Sequence, residues 1–169
     1  LKALGIEPVL IEVGPEDRFQ PTSQLLDKLG GKLDGLIIAS PSNPAGTMLD
    51  EQALKDIVTY CDKHEIRLIS DEIYHGITYG VEASTALKFT DDAFVINSFS
   101  KYFSMTGWRL GWMVLPEDMV RPEECLAQNF FISPPTLSQI AGAAVFDCYD
   151  VLDDYVKQYA RNREILLNE

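Results

Sequence analysis

Short apolar runs alternate along this chain with longer segments in which apolar residues recur every three or four positions. The runs at 8–13, 35–39, 66–69, 93–97 and 110–115 have the length and composition of strands. Residues 51–64 set Ala53, Leu54, Ile57, Val58 and Cys61 on one helical face, with Asp50 placed to cap the first turn. A shorter helix is expected over 22–29, capped by Thr22 or Ser23. Past Pro116 the spacing becomes helical over 117–130, 136–149 and 151–169, and Pro134-Pro135 separates the first two. Strands divided by helices predict an α/β fold, a mostly parallel sheet flanked by helices.

In open α/β sheets, ligands collect at the carboxyl ends of the strands. Three polar clusters follow three successive strands here: Ser40-Pro41-Ser42-Asn43-Pro44-Ala45-Gly46, then Asp71-Glu72-Ile73-Tyr74, then Ser98-Phe99-Ser100-Lys101. A lysine at such an edge is a nucleophile toward aldehydes. Arg109 stands eight residues further on, within Gly107-Trp108-Arg109-Leu110-Gly111. Its planar fork suits a phosphate, and the flanking glycines permit tight backbone turns. A Schiff-base lysine beside a phosphate-binding arginine is what a phosphorylated aldehyde needs. Each residue alone also has a plainer use. Asp71 suits a cap or turn, Tyr74 a half-buried ring, Asn43-Pro44 a turn and Arg109 a surface ion pair.

Taken together, Ser98 to Lys101 and Gly107 to Gly111 resemble the class I aminotransferase signature for attachment of pyridoxal phosphate (PLP). The Asn43-Pro44-Ala45-Gly46 loop and Asp71-Glu72-Ile73-Tyr74 resemble two further motifs of that family, in its order. The chain is thus similar, over residues 1–169, to the fold-type I PLP-dependent aminotransferases of class I/II. The resemblance implies an aspartate aminotransferase-like fold. Residues 1–120 would form the central part of its large, PLP-binding domain, and 121–169 a helical segment leading toward the small domain. The N- and C-terminal parts of the family are expected to lie outside this sequence, which starts at Leu1 rather than at a methionine. The implied activity moves an amino group between an amino acid and a 2-oxo acid through a Schiff base on Lys101. A related PLP lyase or synthase, or the aminotransferase-like sensor domain of a transcription regulator, is the alternative.

The resemblance also implies roles. Lys101 would hold PLP and move the proton between the substrate α-carbon and C4′. Asp71 would pair with the pyridine nitrogen, while Tyr74 and Asn43 would bond the phenolic O3′. Ser98 and Arg109, with Ser100 a weaker candidate, would bind the phosphate. The Asn43–Pro44 bond is expected to be cis. His75 is given no required role.

Composition narrows the partners. Lys plus Arg total 14 against 26 Asp plus Glu, a net charge of -12 that repels a phosphate backbone, so no nucleic-acid partner is expected. Cys61, Cys125 and Cys148 are widely spaced and read as free thiols of a reducing, cytoplasmic compartment. With only His64 and His75 available, no metal site is expected. Nor is a membrane partner, since no apolar run has spanning length. The family resemblance implies a homodimer. Dicarboxylate-specific members use an extra arginine before the Pro-Pro pair. Here no arginine occurs from Pro122 to Ala160, so the expected donor is apolar or aromatic rather than aspartate.

Overall fold

The computed structural model describes residues 1–30 and 32–169. Its centre is a four-stranded sheet in the order β1 (Gly35–Ala39), β2 (Arg67–Asp71), β3 (Phe94–Ser98) and β4 (Gly111–Val114). The first three strands run parallel, with Ala39 opposite Asp71 and Asp71 opposite Ile96. Strand β4 is antiparallel to β3, pairing Ser98 with Gly111. A parallel return needs a crossover, usually a helix. Residues 99–110 hold only the short 3-10 turn Thr106–Trp108, so the chain doubles back beside β3.

Helix α1 (Ser23–Asp27) opens on Thr22, whose hydroxyl accepts from Leu25 N, and α2 (Glu51–Lys63) opens on Asp50, which accepts from Ala53 N at 2.8 Å. Each cap satisfies an N–H that the first turn leaves without an intrahelical partner. Leu54, Ile57, Val58 and Cys61 form the stripe of α2 that packs on Leu36, Ile38, Leu68 and Val95 of the sheet. Burial contributes about 1.5–3 kcal/mol for each of the larger side chains. Burial also pushes the Cys61 thiol up to about 11, leaving it protonated and inert. A second cluster joins Phe99, Phe103 and Met105, from the β3–β4 connection, to Leu152 of the last helix.

Three helices follow the sheet: α3 (Glu117–Phe130), α4 (Thr136–Ala144) and α5 (Tyr149–Asn168). Among the described residues, no helix is long and apolar enough to cross a membrane.

Several elements differ from the sequence expectation. Residues 8–13 run outside any strand, and Leu10 is 85% exposed. An apolar run becomes a strand only where a ladder partner meets it, and β1 pairs with β2 alone. Helix α4 stops at Ala144, where the 3-10 turn Val145–Asp147 breaks the expected 136–149 helix, and α5 starts at Tyr149. Strand β1 also buries only alternate positions: Leu36 and Ile38 face α2, while Ile37 is 56% exposed.

Candidate active site

The parallel ladder brings three chain segments to one edge, because β1, β2 and β3 all end there. After β1 the chain enters the loop 40–49, in which both Ser40–Pro41 and Asn43–Pro44 are cis. Gln20, from far back in the chain, and a bond across the loop itself pin it in place. The buried Gln20 amide donates to the Ala39 carbonyl at 3.3 Å and to that of Thr47 at 2.9 Å. Ser40 Oγ accepts from Leu49 N at 3.0 Å. Asn43 is thereby carried toward Tyr74, and its Nδ2 donates to the Tyr74 hydroxyl at 3.3 Å.

Asp71 is the last residue of β2. One of its oxygens accepts from Ile73 N at 3.1 Å, a local turn that leaves the other oxygen free of that duty. The same turn aims Tyr74 back across the edge. Lys101 comes from the β3 side, half-buried, with Nζ at 5.5 Å from the centre of the Tyr74 ring. An ammonium at that distance is attracted by the ring's electron-rich face. Asn43, Tyr74 and Lys101, drawn from three separate segments, therefore form one contact chain.

The remaining candidates gather around the β3–β4 connection. Ser98 Oγ donates to the Leu110 carbonyl at 3.2 Å and accepts from Ser100 N at 3.0 Å. Thr106 Oγ1 donates to the Ser100 carbonyl at 2.8 Å, closing the connection on itself. Arg109 is exposed and gives one N–H to the Thr106 carbonyl at 3.1 Å. Its backbone is left-handed, φ 53°, a state that costs a residue with a side chain about 1–2 kcal/mol. Strain of this kind concentrates at functional positions. The glycines around Arg109 divide in purpose. A Cβ on Gly111 would lie 2.8 Å from the Asn97 carbonyl, so the β3–β4 pairing demands glycine. A Cβ on Gly107 would meet nothing within 4 Å, and the tight-turn role expected of it goes to left-handed Arg109 instead.

Sequence reasoning passed over Gln20, Thr106 and the acid–histidine pair beside Tyr74. Nothing local marks Gln20, which acts across the fold, whereas His75 adjoined a recognised motif. Tyr102, next to Lys101, donates to Asp153 of α5 at 2.6 Å. Burial first, then this hydrogen bond, raises the Tyr102 pKa, so the phenol keeps its proton. Its ring lies against Gly76, whose φ is +88° and whose added Cβ would sit 2.7 Å from the ring. Gly76→Ala is expected to destabilise by about 2 kcal/mol through strain and overpacking together, visible as a lower melting temperature. An unchanged melt would show that the Tyr102 ring gives way freely.

The structure thus brings an amine, a phenol and a carboxamide into one contact chain, with the Asp71 carboxylate at the end of β2 and the Ser98 hydroxyl and Arg109 guanidinium at the β3–β4 connection. That donor set suits a phosphorylated aromatic aldehyde with a basic ring nitrogen. Among the described residues no three His, Cys, Asp or Glu side chains cluster as metal ligands would.

The family described as aminotransferase class I and II matches residues 1–169. The chain is 46% identical to the valine–pyruvate aminotransferase of Mycobacterium tuberculosis, a match covering 99% of this chain and 44% of that protein. Among solved structures it is similar to an aminotransferase from Mycobacterium tuberculosis, with TM-score 0.93 and 46% identity over 98% of this chain and 46% of that one. A mutant of Thermus thermophilus aspartate aminotransferase superposes with TM-score 0.87 at 26% identity, over 95% of this chain and 46% of that one. The sheet and its flanking helices are therefore those of an aspartate aminotransferase-like fold, and the chain spans less than half the length of these proteins. This chain belongs to the class I and II aminotransferases, a PLP-dependent family.

Proposed function

We propose that the protein of which this chain is the cofactor-binding centre is a PLP-dependent transaminase acting on amino acids and 2-oxo acids. The observation that carries the reading is the convergence of Asn43, Tyr74 and Lys101 at the sheet edge. The donor set fits the cofactor. The Lys101 amine would bind its aldehyde carbon. Tyr74 and Asn43 would hydrogen-bond O3′, and Asp71 would hold the proton on the pyridine nitrogen. Ser98 and Arg109 would take the phosphate, the guanidinium by its paired N–H groups, with Ser100 contributing at the same turn. When bound, PLP supplies an electron sink for the charge that develops at the substrate α-carbon. The free Lys101 amine then moves the proton between that carbon and C4′, acting as base and acid in turn.

In this reading residues 1–120 are the central part of the large domain and 121–169 lead toward the small one. The relatives named above are aminotransferases, which favours transamination over the lyase and sensor readings. A homodimer in the cytoplasm is the working form we infer. Exposed Phe130, Ile132 and Leu137 offer apolar surface for subunit contact, and the three free cysteines suit a reducing compartment.

The substrate class follows from a missing charge. No arginine occurs from Pro122 to Ala160 to meet a second carboxylate, and the 46%-identical relative is a valine–pyruvate aminotransferase. We read the donor as a neutral, apolar amino acid. The full-length protein is expected to show kcat/KM at least about a hundredfold higher with valine and pyruvate than with aspartate and 2-oxoglutarate, because an unpaired carboxylate is costly to bury. A preference for aspartate would overturn the substrate assignment, and absence of transamination with every donor would overturn the activity.

A further inference from the structure

Beside Tyr74 lies a network that the proposed chemistry leaves unused. Glu72 is a buried carboxylate, 3% exposed. Its Oε1 accepts from Ser70 Oγ at 3.0 Å and from Ala86 N at 2.9 Å. Its Oε2 faces His75 Nδ1 at 3.4 Å, an ion-pair distance. The other ring nitrogen, Nε2, lies 3.1 Å from the Ser40 carbonyl. That carbonyl can only accept, so Nε2 carries a hydrogen and donates. Ser40 is 5% exposed and stands one position past the β1–β2 ladder, where its own N–H reaches Asp71. Its carbonyl takes from the imidazole the bond that the ladder no longer gives.

The connection spans the site. Ser40 opens the loop that carries Asn43, and His75 follows Tyr74. Fastening Ser40 to His75 fixes the two segments against each other at their roots, three residues from Asn43 and one from Tyr74. Glu72, held by two donors of its own, stops the ring from turning away. We propose that His75, oriented by Glu72, is a positioning residue. By holding the Ser40 carbonyl it sets the Asn43 amide against the Tyr74 hydroxyl, and so the pair of donors offered to the cofactor's O3′. The inference rests on the reading of Asn43 and Tyr74 as cofactor ligands.

Side-chain geometry supplies the test. The terminal amide nitrogen of glutamine overlays histidine Nε2, whereas that of asparagine overlays Nδ1. In the full-length protein, His75→Leu and His75→Asn are expected to weaken PLP binding about tenfold, the cost of one unsatisfied buried acceptor. Both are also expected to speed amide hydrogen exchange across residues 42–47 in the PLP-free protein. His75→Gln is expected to restore both properties. Wild-type exchange and affinity in the Leu and Asn variants would overturn the proposal, and so would a Gln variant no better than Asn. The Gln–Asn comparison decides the matter even where the leucine variant fails to fold. If the wild-type protein itself takes up no PLP, the proposed function falls, while the exchange measurement still decides whether the brace exists.

Discussion

Lys101→Ala is expected to lower the transamination rate of the full-length protein by about 10³–10⁴-fold, the upper range for loss of a positioned acid–base group. In the proposed site two functions would leave together: the covalent hold on the cofactor aldehyde, and the amine that would move the proton between the α-carbon and C4′. The structure explains why no neighbour substitutes. Tyr74, whose ring is 5.5 Å from Nζ, already accepts from Asn43 at its hydroxyl. Tyr102 is turned toward Asp153 and holds its proton there. Lys101→Arg is expected to be equally inactive, because a guanidinium stays protonated and cannot attack an aldehyde. Borohydride reduction of the wild-type protein with PLP, followed by peptide mapping, is expected to label Lys101, and Lys101→Ala is expected to remain unlabelled. Near-normal turnover in the alanine variant, or a label on another lysine, would remove Lys101 from its role.

The parts of this site that could be read from sequence are those built from local pattern. The apolar runs mark the ends of the strands to within two residues, so the clusters at 40–46, 71–74 and 98–101 are legible in the sequence as lying at one sheet edge. Asp50 and Thr22 were legible as caps because capping depends on the neighbouring turn alone. What lay outside reach is whatever depends on tertiary contact. The apolar run at 8–13 carries a strand's composition, yet only a partner decides whether it pairs. Gln20 grips Ala39 and Thr47 across 19 and 27 positions of chain. His75 looks incidental in the sequence because the Ser40 carbonyl is brought to it by the β1–β2 register, and Glu72, although only three positions away, becomes a buried carboxylate only in the fold. The division of labour among the glycines was hidden for the same reason: Gly111 is required by the nearness of Asn97, a strand away.

Asp71→Asn is the substitution in which charge and shape separate most cleanly. Asparagine keeps an oxygen able to accept from Ile73 N, so the turn that aims Tyr74 is expected to survive and the melting temperature to stay within a few degrees. The negative charge is lost. In the proposed site that charge holds the proton on the pyridine nitrogen, and without it the ring withdraws electrons from the α-carbon far less well. Breaking a desolvated charge pair by removing one partner costs on the order of 3–5 kcal/mol, so kcat is expected to fall by roughly two to four orders of magnitude. PLP binding is expected to weaken less, because Lys101, Arg109 and Ser98 are untouched. Asp71→Glu retains the charge on a side chain longer by one methylene and is expected to recover part of kcat. The decisive comparison is kcat for Asn against Glu at equal PLP saturation. If both variants lose the same activity, the shape of the turn rather than the charge is what Asp71 provides. If only asparagine is crippled, the charge rather than the turn is what Asp71 provides, as the proposed pairing with the ring nitrogen requires.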